Sequence, residues 1–129
     1  MNVKQVRPAT LKSWLDNGEA IVIDVREPRE YASGHIEGST LVPLNSLNPD
    51  ALPEHSGQKL VMLCRVGNRS HFACLKLNGT VPAEVYNLEG GIRGWMMEGL
   101  PVRKLENSSG QEEGVPLAAK MMRFMSRLS

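Results

Sequence analysis

The chain has 129 residues, 41% of them hydrophobic, enough for one compact domain that buries roughly two-thirds of the surface its unfolded form exposes. Fifteen basic against fourteen acidic residues leave a net charge of +1, which gives no electrostatic case for nucleic acid as a partner. Two cysteines, Cys64 and Cys74, make neither a disulfide framework nor a zinc-ligand spacing, no cofactor motif is present, and no apolar leader or long apolar run marks a secreted or membrane-spanning chain, so a reducing cytoplasm is the expected compartment.

A first helix is predicted over residues 11–17, with Thr10 as N-cap, Gly18 past the end, and Leu11, Trp14 and Leu15 turned inward. Residues 21–25 are β-branched and apolar except for Asp24, and predict a strand that ends at Arg26-Glu27-Pro28. A short helix over 29–33, closed by Gly34, and a brief strand over 40–42 before Pro43 come next. Residues 49–57 are polar and rich in turn formers.

Leu60, Val61, Met62 and Leu63 then run straight into Cys64-Arg65-Val66-Gly67-Asn68-Arg69-Ser70. Four apolar residues in a row fit a strand covered on both faces, while Gly67 and Asn68 tolerate the positive φ that a sharply curled loop needs. A helix over 69–77, stopped by Asn78-Gly79, would follow that loop directly. The arrangement aims backbone N–H groups and a helix N-terminus at the Cys64 sulfur, which favours its thiolate and makes it a nucleophile.

A strand over 84–88 meets Gly90-Gly91, and a last short helix over 92–97 ends near Gly99 before Pro101. Strands alternating with helices predict an α/β fold with a largely parallel sheet, whose ligand site lies beyond the carboxyl ends of the strands, where Cys64 and Asp24-Val25-Arg26 both fall. Composition then divides the chain into a domain at 1–102, a polar linker at 103–114 and a basic amphipathic helix at 115–129. That helix has Leu117, Met121, Phe124, Met125 and Leu128 on one face. It suits docking on its own domain or on a second copy, or on a protein partner or membrane surface.

Three segments, in this order, resemble the rhodanese-like domain family: DVREPREYASGHIEGS at 24–39, CRVGNRS at 64–70 and NLEGGIRGW at 87–95. The resemblance covers residues 6–102. It implies a rhodanese-like sandwich, with a central, mostly parallel five-stranded sheet flanked by helices on both faces. It further implies a sulfurtransferase that carries sulfur as a Cys64 persulfide from a small anionic donor such as thiosulfate to cyanide, a thiol or a protein thiol, without a cofactor or metal.

In that chemistry Cys64 is catalytic, and residues Arg65, Val66, Gly67, Asn68, Arg69 and Ser70 bind the donor and cradle the persulfide. Arg65 is balanced between donor binding and surface charge, and Arg69 between donor binding and tying the loop to a buried carboxylate such as Asp24. Asp24 and Arg26 match the family's Asp-x-Arg segment and read as scaffold. His35 reads as a structural histidine, His71 as a surface one, Cys74 as a buried small hydrophobe and Trp95 as core, with Gly90 and Gly91 allowing close approach to the loop. Val66 departs from the small or hydroxyl residue common in the family. Two rivals remain: a partner-binding or redox-sensing module without turnover, and a cysteine-loop phosphatase or arsenate reductase. The second is disfavoured because only four residues separate Cys64 from Arg69, where protein phosphatases place five.

Overall fold

The computed structural model describes residues 3–105. The expected helix at 115–129 and most of the polar linker lie outside the described residues. The elements are β1 (Lys4–Val6), α1 (Pro8–Asp16), β2 (Ala20–Asp24), α2 (Pro28–Ser33), β3 (Thr40–Leu41), β4 (Lys59–Leu63), α3 (Asn68–Leu77), β5 (Val85–Leu88) and α4 (Gly91–Met97). Two short 3-10 turns, Leu44–Ser46 and Pro49–Ala51, occupy the turn-rich stretch between β3 and β4.

The strands form one five-stranded sheet in the order β1-β5-β4-β2-β3, with every pairing parallel. Strand β4 lies in the middle, and its alternation divides the core. Leu60, Met62 and Cys64 face α3, where Ala73, Cys74 and Leu77 complete one apolar cluster. Val61 and Leu63 face the other way, into a cluster with Leu11 of α1 and with Ile92 and Trp95 of α4. Burial on both faces explains the unbroken apolar run that precedes Cys64.

Several boundaries differ from the sequence expectation, each for a local reason. Helix α1 begins at Pro8, with Arg7 in the N-cap position, instead of after Thr10. Proline at the first helical position has no N–H to leave unpaired and already holds a helical φ, so it starts the helix without a side-chain cap. Strand β2 runs from Ala20 to Asp24, one residue earlier than expected. Strand β1 was not anticipated, because two of its three residues are exposed and only pairing with β5 defines it.

Packing also continues past Val102. The backbones of Arg103 and His35 exchange hydrogen bonds at 2.8 and 2.9 Å, and Leu105 is buried against Tyr31, Ala32 and Leu41. The folded chain therefore runs at least to Leu105, three residues beyond the expected boundary. No described helix is long and apolar enough to cross a membrane.

Candidate active site around Cys64

Register brings the carboxyl ends of β2 and β4 together, since Asp24 pairs with Leu63 and the next residue on β4 is Cys64. Cys64 is 1% exposed and carries a free thiol. After it the chain curls through Gly67, whose φ of 109° lies in the left-handed region, and enters α3 at Asn68. The curl turns the Gly67 N–H back onto the Cys64 sulfur at 3.1 Å, and the Ser70 hydroxyl approaches the same atom at 3.2 Å. Burial alone pushes the thiol pKa up. The Ser70 hydroxyl and the backbone N–H groups of Ser70, Gly67 and Val66 outweigh it, so the pKa is lowered overall.

The loop is clamped from behind by α4. The N–H of Ile92 donates to the Cys64 carbonyl at 2.9 Å, and that of Arg93 to the Arg65 carbonyl at 3.0 Å. This approach requires glycine at position 91, where φ is +60° and an added Cβ would lie 2.4 Å from the Arg65 carbonyl oxygen. The Gly90-Gly91 pair thus holds the curled loop against the rest of the fold.

Beside the loop, Asp24 and Arg26 form a closed buried pair. The Arg26 Nε and Nη2 donate to the two Asp24 carboxylate oxygens at 2.9 and 2.7 Å, and Nη2 also donates to the Gly34 carbonyl at 2.8 Å. Both side chains are nearly inaccessible, so the pair ties the turn after β2 to the end of α2. Asp24 is therefore not the partner of Arg69.

Arg69 instead grips Glu30 of α2 through two parallel hydrogen bonds of 2.7 and 2.8 Å. That contact is the main reason the Glu30 carboxyl falls to about 2. The pairing turns the Arg69 guanidinium toward α2 and lets it brace the start of α3. Arg65 has an exposed side chain that lines an open groove of about 440 Å³ with Arg93, Ile92 and Met96. Neither Arg65 nor Arg93 has an ion-pair partner among the described residues.

The other residues singled out from sequence lie around this centre. His35 is buried, stacks on Tyr31 with ring centroids 4.0 Å apart, and donates from Nδ1 to the Tyr31 carbonyl at 2.9 Å. Burial lowers its pKa, in keeping with a structural role. His71 is partly exposed and stands edge-on to Phe72. Trp95 is buried and donates from its indole nitrogen to the Pro101 carbonyl at 2.8 Å. Asn68 opens α3 on an exposed position, and Val66 is 43% exposed at the mouth.

Three residues of the site were not singled out from sequence: Glu30, Arg93 and Asn87. Asn87 had a visible signal, as the one amide side chain in a buried strand otherwise reading Val85-Tyr86-Leu88. Glu30 and Arg93 look like ordinary helix surface charges until the fold sets them beside the loop.

A family model described as Rhodanese-like domain matches residues 7–98. An uncharacterized protein of Synechocystis is 36% identical over 103 residues, which span 80% of this chain but only 58% of that protein. The thiosulfate sulfurtransferase GlpE of Ectopseudomonas mendocina is 35% identical over 92 residues, spanning 71% of this chain and 84% of that one. Among solved structures, a rhodanese-related protein from Thermoplasma volcanium superposes with a TM-score of 0.66 at 31% identity, covering 78% of this chain and 97% of that one. The family match over most of the described residues, together with this structural likeness, shows that the chain belongs to the rhodanese-like domain family.

Proposed function

We propose that this protein transfers a sulfane sulfur from a small anionic donor such as thiosulfate to a thiophilic acceptor through a persulfide on Cys64. The observation that carries this is a buried sulfur met by the Gly67 N–H and the Ser70 hydroxyl, with its pKa lowered despite burial. Its similarity to a relative named as a thiosulfate sulfurtransferase supports the choice of donor.

In the first half-reaction the Cys64 thiolate attacks the outer sulfur of thiosulfate. The sulfur–sulfur bond of the donor breaks, and sulfite leaves with the bonding pair. The Cys64 persulfide carries one negative charge on a large, diffuse atom, which suits several preorganised N–H and O–H donors. In the second half-reaction cyanide or a thiol attacks the outer sulfur, and the Cys64 thiolate departs unchanged. Arg65 and Arg93, flanking the groove beside the loop, supply the cationic surface that draws an anionic donor in. No resident metal or cofactor takes part in either step. Two free thiols suit a reducing compartment such as the cytoplasm.

Initial-rate kinetics test this proposal. With thiosulfate and cyanide varied together, thiocyanate formation should follow a ping-pong pattern, and Cys64→Ser should form none above background. An intersecting pattern, or activity surviving in Cys64→Ser, contradicts it.

A further inference from the structure

Asn87 stands on β5 beside the loop, 4% exposed. Its amide nitrogen donates to the Gly67 carbonyl at 3.2 Å and to Gln5 Oε1 at 3.3 Å, which uses both of its hydrogens. That fixes the direction of the side chain and turns Oδ1 onto the Ser70 hydroxyl, 2.5 Å away. The same hydroxyl lies 3.2 Å from the Cys64 sulfur.

A hydroxyl carries one hydrogen, so Ser70 satisfies either Asn87 Oδ1 or the sulfur at any moment. When Cys64 is a thiol, its own S–H can point to Ser70 Oγ while Ser70 donates onward to Asn87, and every group is paired. When Cys64 is a thiolate or persulfide anion, the Ser70 hydrogen swings to the sulfur and Asn87 Oδ1 loses its donor in a buried place. The two arrangements differ by a single hydroxyl rotation.

We propose that Asn87 is a positioning residue that competes with the Cys64 sulfur for the Ser70 hydrogen, and so moderates how readily the nucleophile forms. The proposal rests on Cys64 being the nucleophile. The ionisable groups coupled to Cys64 are Arg69 and Cys74, both on α3, and the closed Asp24–Arg26 pair sits at the adjoining end of β2. Against a common Cys74→Ser background, changes at Ser70 and Asn87 isolate the competition.

The same carboxamide also holds the Gly67 carbonyl, so its loss has two consequences, which a paired design separates. Cys64 alkylation by iodoacetamide is followed against pH by intact mass in a Cys74→Ser background. Asn87→Val is compared with the parent once with Ser70 present and once with Ser70→Ala, and Asn87→Ala repeats the comparison in case the first variant fails to fold. Thermal melting checks each protein.

The midpoint of the alkylation profile should move toward lower pH on removing Asn87 when Ser70 is present, relative to the change seen with Ser70→Ala. Below the midpoint this difference amounts to a rate roughly two- to fivefold higher, the effect of about one hydrogen bond. An equal change in both backgrounds assigns Asn87 to holding Gly67 alone and overturns the proposal, as does a difference of opposite sign. Alkylation needs no sulfur donor, so a protein that fails to transfer sulfur still reports on this competition.

Discussion

Cys64 and Cys74 lie ten residues apart, 1% and 0% exposed, in the same apolar cluster, yet they are opposite chemical objects. Cys74 is inside α3, whose backbone groups are committed to the helix. Burial, with a smaller contribution from the charge of Cys64, pushes its thiol up to about 12. Cys64 suffers burial too, but the Ser70 hydroxyl and the loop N–H groups reverse the outcome. The direction of each shift is decided by free donors and not by exposure. A strand end followed by a curled loop has such donors to offer, and a helix interior has none.

The strongest way to break this contrast is to spoil the loop without touching either sulfur. Gly91→Ala forces a Cβ against the Arg65 carbonyl at a φ that an L side chain rarely adopts. Sulfur transfer should fall by about 100-fold or more, because a displacement of about 1 Å in a preorganised site carries a penalty of that order. Near-normal turnover in a folded Gly91→Ala protein would show that the clamp from α4 is dispensable.

A gentler change removes one donor. Ser70→Ala should raise the pKa of Cys64 toward that of an ordinary thiol and slow its alkylation at neutral pH by about three- to tenfold, as expected for one hydrogen bond to a charged group. Alkylation profiles across pH check this, and an unchanged midpoint would assign the lowered pKa to the amides alone.

The effect of Cys74 leaves the behaviour at neutral pH untouched and appears only in alkali. Its folded pKa of about 12 lies above the 9.0 of an ordinary cysteine thiol, so between these values the folded state binds more protons than the unfolded one. Stability should therefore decline as pH rises past 9, with this group contributing a slope of at most about 1.4 kcal/mol per pH unit. Denaturant titrations of the parent and Cys74→Ala should show the variant losing that part of the alkaline decline, although it begins less stable through lost packing.

Much of this contrast was legible in the residues. The apolar run into Cys64 fits a strand covered on both faces, and Gly67 tolerates the positive φ of a sharp curl, so the loop and the donors it aims at the sulfur follow from local rules. Cys74, a turn and a half along the helix that follows the loop, reads as a buried small hydrophobe, and it is 0% exposed on α3. What escaped was long-range. Strand β1 exists because Gln5 and Val6 pair with Asn87 and Leu88, across a separation no local pattern reports.

The sequence leaves Arg69 balanced between binding the donor and pairing with Asp24 or another buried carboxylate, and of these carboxylates Arg26 closes on Asp24 from two residues away. Glu30, one turn along α2, is left to take the other guanidinium. The buried Leu105 shows the same limit at the far end, since its partners come from α2 and β3.

The account turns on one sulfur atom staying attached to one of two buried cysteines. Intact-protein mass spectrometry after exposure to thiosulfate, on the parent, Cys64→Ser and Cys74→Ser, tests it most directly. The parent and Cys74→Ser should each gain a single sulfur that cyanide or a thiol removes, and Cys64→Ser should gain none. A sulfur retained in Cys64→Ser, or absent from the parent while thiosulfate is turned over, would contradict it.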